Sequence, residues 1–285
     1  MTVGFVATLR GDPFGLGVLR KVRVEYDAPA ADRLVFLVHG YNVTETKAAK
    51  SFDPLADELM KHASLKGKVG YFSWPGDSID PLSSTMSYLW RVKTADECAP
   101  RFADYLMSLR TLAGRKPRIV IIAHSLGCRL AIKTAFAAPA SLRRRLTIIL
   151  MAAAFPVVQV DAGLKAAIRM LPKSVVMYSA KDTVLNCVFN LAENARSAGA
   201  SLWKWRWQEP VGLNGRPESG VWSERDDMHP FDHGDYWKSK IIHKRLRDLL
   251  GGQTVRYQIK RTMQSRTIID RYRERRAIPK RRFGS

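Results

Sequence analysis

The sequence predicts a doubly wound α/β fold, a mostly parallel sheet with an antiparallel N-terminal start and helices on both faces. Three observations carry this expectation. Apolar, β-branched-rich runs recur along the chain with helix-length stretches between them. Several of these runs, such as Ile119-Val120-Ile121-Ile122, are continuously apolar, as strands covered on both faces must be. The first two runs lie too close together for a helical crossover, so they are expected to pair antiparallel.

Taken in order, strands are expected at residues 3–9, 19–26, 33–38, 68–73, 118–123, 146–151 and 174–179. Helices are expected near 45–62, 96–113, 126–138 and 184–198. Right-handed strand–helix–strand crossovers then build the parallel part of the sheet. Residues 201–208 fit the alternation poorly. Trp203, Trp205 and Trp207 alternate there with Lys204 and Arg206, a period of two that suggests a half-buried edge strand. Residues 209–232, rich in Pro, Gly and charge, read as a long loop, and loops of that length are often functional. A last helix is expected over 235–250, closed by Gly251-Gly252. No internal repeat is visible.

A chain of 285 residues can bury a substantial core in one domain. We read residues 1–251 as a catalytic domain and residues 252–285 as a basic C-terminal tail. Lys and Arg number 47 against 26 Asp and Glu, a formal net charge of +21. The tail contributes eleven basic and two acidic residues, with Val255, Ile259 and Met263 at helical spacing. Such a surplus favours an anionic partner, nucleic acid or acidic lipid, reached through the tail. No run approaches the roughly 18 apolar residues that a membrane span needs, and the N-terminus lacks the pattern of a secretory signal. Cys98, Cys128 and Cys187 lie far apart with no CxxC spacing. That suits a reducing, cytoplasmic setting and argues against a zinc site or a disulfide framework. No cofactor or metal is expected, and the sequence leaves the oligomeric state open.

The chemistry is carried by Ala123-His124-Ser125-Leu126-Gly127, which follows an apolar run and opens a small-residue helix. That strand–turn–helix setting is what a nucleophile elbow needs. The serine takes a strained backbone conformation that lifts its hydroxyl clear of the sheet. Residues two before and two after it must be small, and Ala123 and Gly127 are, although alanine stands where glycine is usual. The alternative is that Ser125 merely caps the helix. A nucleophilic serine needs a histidine to take its proton and a carboxylate to orient that histidine. Asp182, after the 174–179 run, is the candidate acid, with Asp161 as its rival. Among six histidines, His39 and His124 suit loop architecture, His62 a helix surface and His243 a helix interior. His229 and His233 remain, and His233 is favoured because it directly precedes the last helix. An oxyanion hole is expected from the backbone N–H groups of Leu126 and of Tyr41, in the loop His39-Gly40-Tyr41-Asn42.

The segments LVHGYNVT, YFSWPGD, IVIIAHSLGCRL, MYSAKDTVL and FDHGDYW resemble a family of bacterial α/β-hydrolases of unknown function. The likeness runs from about Leu34 to Leu250. It implies an α/β-hydrolase fold with Ser125, Asp182 and His233 as triad, and it implies no particular substrate. The expected activity is hydrolysis of a small-molecule or lipid-like carboxylic ester, esterase- or lipase-like, through an acyl-enzyme intermediate. The competing expectation is a binding module on a hydrolase scaffold, its basic tail engaging nucleic acid or an anionic surface.

Overall fold

The computed structural model describes residues 5–11, 18–24, 31–61, 67–77, 84–189, 208–217 and 220–251. Among these residues eight strands form one sheet: β1 (Val6–Arg10), β2 (Val18–Val24), β3 (Arg33–Val38), β4 (Lys68–Ser73), β5 (Arg118–His124), β6 (Leu146–Met151), β7 (Lys173–Tyr178) and β8 (Glu224–Asp227). Their spatial order is β2-β1-β4-β3-β5-β6-β7-β8. β1 and β2 pair antiparallel, and every other pairing is parallel. The helices are α1 (Glu45–Lys61), α2 (Ser84–Ser108), α3 (Leu126–Ala137), α4 (Ala140–Arg143), α5 (Ala162–Arg169), α6 (Val211–Asn214) and α7 (Lys240–Gly251). A short π-helix occupies Val184–Phe189.

The uniformly apolar strands take the centre of the sheet. In β3 and β5 every residue after the first is buried, because helices cover both faces. On one face the rings of Phe36 and Phe72 pack on Phe102 of α2, with centroids 5.5 and 3.6 Å away. Burying side chains of this kind contributes roughly 1.5–3 kcal/mol each. α2 and α3 are joined by Arg129, whose nearly buried guanidinium donates twice to Asp96 at 2.7 Å.

Several elements differ from the sequence expectation. α2 begins at Ser84, twelve residues before the expected 96, and Tyr88, Val92 and Ala95 bury its first turns at helical spacing. The stretch 209–232 holds α6 and the edge strand β8. β8 reads Glu-Arg-Asp-Asp, and of these four only Asp226 is buried, so no apolar run announces it. The last helix is divided at Ser239 into a 3-10 turn, Tyr236–Lys238, and α7. The expected edge strand with Trp203, Trp205 and Trp207 falls at 201–207, outside the described residues, as do residues 190–198 and the tail 252–285. Among the described residues no helix is long and apolar enough to cross a membrane.

β8 is held by charge. Arg245 of α7 is fully buried and donates to Asp226 at 2.8 and 3.1 Å and to Glu224. Burial pushes the Asp226 carboxyl up, while the two carboxylates raise the Arg245 guanidinium. Removing one partner leaves a buried charge uncompensated. Arg245→Ala should therefore lose about 3–5 kcal/mol in urea unfolding. The double variant with Asp226→Ala should recover part of that loss.

Candidate active site

All the loops discussed below leave the same edge of the sheet, where the parallel strands end. Ser125 follows β5 with φ 55° and ψ −125°, a conformation costly for any residue with a Cβ. Its backbone is pinned from both sides. Its N–H donates to the Met151 carbonyl at 3.0 Å, and its own carbonyl accepts from Cys128 and Ala154 at 3.0 and 3.2 Å. No side-chain cap bond joins Ser125 to α3. Its Oγ instead lies 2.9 Å from His233 Nε2.

His233 comes from the loop after β8. Its Nδ1 faces Asp182 Oδ2 at 2.8 Å and Oδ1 at 3.1 Å, so that nitrogen carries the hydrogen and Nε2 is free to accept one from Ser125. Asp182 is fully buried, and its Oδ1 also accepts the Leu185 N–H at 2.9 Å. Three side chains widely separated in sequence thus form one hydrogen-bonded line. Asp161 is elsewhere: it caps α5 by accepting the Leu164 N–H at 2.8 Å. The ring of His229 makes no hydrogen bond among the described residues, and its backbone N–H donates to Asp227. His243 bridges Glu58 and the Trp237 carbonyl, at 2.7 and 2.8 Å. His62 lies outside the described residues.

Two loops are cross-tied around this line. Asp232 accepts from Thr183 N and Oγ1 at 2.9 Å each and from His233 N at 2.8 Å. These bonds hold its carboxyl below the usual range. Ser179 Oγ donates to the Phe231 carbonyl at 2.6 Å. His124 adds a third restraint, since its Nε2–H donates to the His233 carbonyl at 2.8 Å. Burial, with the nearby His233, lowers the His124 pKa to about 3 and keeps the ring neutral.

The loop after β3 packs directly on the elbow. A Cβ on Gly40 would sit 2.8 Å from Ser125 Cβ, and one on Gly127 would sit 2.4 Å from the His39 carbonyl oxygen. Glycine at both positions is what lets the two backbones meet. His39 organises the rest. Its Nδ1–H donates to the Gly40 carbonyl at 2.9 Å, so its Nε2 accepts from Arg10 Nη2 at 3.3 Å and from the Trp74 N–H at 3.4 Å. Its ring stacks on Trp74, whose Nε1 donates to the His39 carbonyl at 2.9 Å. Arg10 is itself fixed by Ser73 at 2.7 Å, Asp77 at 2.5 Å and the Val43 carbonyl at 3.0 Å. Burial, then Arg10, lowers the His39 pKa to about 3. Because a trans peptide is planar, fixing the Gly40 carbonyl points the Tyr41 N–H the opposite way. The Leu126 N–H belongs to the first turn of α3, whose amides lack intrahelical acceptors.

The family model described as "Alpha/beta hydrolase of unknown function (DUF900)" matches residues 21–204. The chain belongs to this family. The match includes Ser125 and Asp182 and ends before His233. No curated protein is similar enough to match. Among solved structures, TT1662 from Thermus thermophilus is 13% identical with a TM-score of 0.46, covering 81% of this chain and 92% of that one. An uncharacterized protein from Bacillus cereus is 13% identical with a TM-score of 0.43, covering 81% and 62%. The peroxisomal alpha-beta-hydrolase of Saccharomyces cerevisiae is 9% identical with a TM-score of 0.40, covering 88% of each chain.

This α/β-hydrolase also uses residues that the motif reading passed over. Arg10, Trp74, Asp77 and Asp232 brace the site, and only the SWPGD and FDHGD segments hinted at three of them. Cys128, beside the elbow, is kept a thiol by burial, which pushes its pKa up. Among the described residues no group of three His, Cys, Asp or Glu side chains could hold a metal ion.

The two neutral rings have a pH signature. A histidine held neutral when folded binds its proton only after unfolding. Each ring therefore costs stability once the pH drops below the ordinary 6.5, and the loss grows down to about 3. Stability should fall by about 1.4 kcal/mol per ring at pH 5.5 relative to pH 7.5, read from urea midpoints. The ring-nitrogen shifts of His39 and His124 should stay flat over the same range.

Proposed function

We propose that this α/β-hydrolase is a serine hydrolase of carboxylic esters, esterase- or lipase-like, working through an acyl-enzyme. The observation that carries the reading is the pair of contacts made by His233, 2.9 Å to Ser125 Oγ and 2.8 Å to Asp182. A serine hydroxyl becomes a nucleophile when a base accepts its proton as it attacks. Ser125 Oγ adds to the ester carbonyl carbon while His233 Nε2 takes the hydroxyl proton. Asp182 keeps the Nδ1–H tautomer and stabilises the imidazolium that forms. The tetrahedral oxyanion is received by the Leu126 and Tyr41 N–H groups, each such donor typically contributing about 2.7–4 kcal/mol. Collapse expels the alcohol, which takes the proton from His233 Nε2. Water then attacks the acyl-enzyme by the same route and releases the carboxylic acid.

The pre-set geometry supports this reading over pure binding. Nothing in a binding module requires a strained serine, a buried aspartate and a histidine with one tautomer in a single line. The Arg10–His39 pair supports the oxyanion role of Tyr41, because it orients the peptide that bears that N–H before substrate arrives.

Turnover of short p-nitrophenyl esters tests the proposal. Ser125→Ala should lower kcat by roughly 10⁶-fold and Asp182→Asn by roughly 10⁴-fold, as in other triads. Ser125→Ala should also abolish labelling by a fluorophosphonate probe, and undiminished labelling would remove Ser125 as nucleophile. Asp232→Ala frees the acid and base loops from each other. It should lower kcat by roughly tenfold, the equivalent of one charge-assisted hydrogen bond, with partial rescue by Asp232→Asn.

A further inference from the structure

The opposite edge of the sheet, where the parallel strands begin, carries a different pattern. β4, β3, β5 and β7 start with Lys68, Arg33, Arg118 and Lys173, and Arg144-Arg145 lead into β6. The register sets these positions side by side. Arg33 is level with Arg118, Leu34 with Lys68, Ile119 with Leu146, and Thr147 with Lys173. Five neighbouring strands at the usual spacing of about 4.8 Å make a cationic row roughly 19 Å long.

A cavity of about 870 Å³ opens on this row. Arg33, Arg118, Arg144, Arg145 and Lys173 all line it, and among the described residues no Asp or Glu does. A second cavity, of about 390 Å³, shares Arg33 and Arg118 and adds Arg115 and Lys116, with Asp32 as its acid. Some of these cations have structural duties. Arg33 donates to the Leu250 carbonyl at 2.6 Å, and Arg145 to those of Pro117 and Leu106 at 2.7 and 3.2 Å. Arg33 and Arg145 thereby complement the negative ends of α7 and α2. Lys173 pairs with Glu224 at 2.9 Å.

Those duties leave a remainder. The side chains of Arg118 and Arg144 are exposed and make no hydrogen bond or ion pair among the described residues. Arg145 Nε is buried without an acceptor among the described residues. Burial, then a neighbouring arginine, lowers the pKa of both Arg33 and Arg145. Gly251, on the cavity wall, is the residue from which the sequence continues into 252–285, with eleven Lys or Arg and two Asp or Glu.

We propose that this edge of the sheet, remote from Ser125, docks the sugar-phosphate backbone of a nucleic acid, with Arg118 and Arg144 as the phosphate-contacting pair. The row is elongated and runs across two cavities, which fits a chain of phosphates better than one compact anion. The apolar residues of the larger cavity, Ile119, Val120, Ile149, Leu249 and Leu250, are all buried strand or helix positions. They are recessed below the arginines and offer no wedge for a bilayer. The inference is independent of the ester-hydrolase reading, since no residue of this row belongs to that machinery.

The test uses the full chain and fluorescence anisotropy of a labelled duplex of about 20 base pairs, titrated between about 50 and 200 mM salt. Wild-type log affinity should fall linearly with log salt. Arg118→Glu combined with Arg144→Glu should weaken binding at least tenfold at low salt and flatten the slope by about two, one per lost phosphate contact. Ester turnover of that double variant should be unchanged, which reports an intact fold, and Ser125→Ala should bind the duplex as wild type does. Three results would overturn the proposal. One is no wild-type binding at low salt, and another is the same affinity and slope in the double variant. The third is retention on vesicles of equal parts phosphatidylcholine and phosphatidylserine with no binding to the duplex.

Discussion

Two backbones meet at the top of the sheet more closely than side chains would allow, and most of the site is built around that meeting. The loop after β3 lies against the turn after β5, with Gly40 facing Ser125 and Gly127 facing His39. A Cβ at either place would fall inside van der Waals contact. The strained serine persists because its N–H and its carbonyl are both committed to neighbouring strands and loops. Behind the β3 loop, His39 acts as a spacer of defined polarity, donating on one side and accepting on the other. Arg10 and Trp74 hold it in that state from β1 and from the end of β4. β1 and β4 thus reach the reacting centre through one neutral ring.

The legible part of this molecule was the part in which hydrophobicity and geometry coincide. β3 and β5 are continuously apolar, and the strained turn tolerates only small neighbours, so the elbow stood out. Chain order singled out Asp182 and His233 as candidates, and in the structure His233 lies within hydrogen-bond distance of both Ser125 and Asp182. The obscure part is polar. β8 is four charged residues whose place in the sheet depends on Arg245, nearly twenty residues later, and no local pattern contains that partnership. The early start of α2 was hidden by a serine- and threonine-rich first turn. Arg10 carries no motif of its own. Its importance arises from burial against Ser73, Asp77 and His39, which only the folded chain brings together.

The parallel sheet also separates two electrostatic environments. At the strand ends, buried rings are kept neutral and a buried aspartate is oriented by hydrogen bonds. At the strand beginnings, cations accumulate at the C-termini of α2 and α7, and Arg118 and Arg144 meet no carboxylate among the described residues. A parallel sheet makes this division natural, because every crossover returns the chain to the same edge before the next strand begins.

The cross-ties around the acid loop have one more consequence. Ser179 N–H donates to the Gly212 carbonyl at 3.0 Å, and Gly212 N–H to that of Ala153 at 3.0 Å. The described residues on either side of positions 190–207 are therefore both fastened at the same edge of the sheet, near Ser179 and near Gly212. Lengthening the chain between two such attachments is thermodynamically mild, about 0.6 kcal/mol for each doubling. Positions 190–207, between these two attachments, include three of the seven tryptophans. Changing the number of residues between positions 190 and 207 therefore leaves in place the bonds that hold the acid loop, including the Leu185 N–H on Asp182.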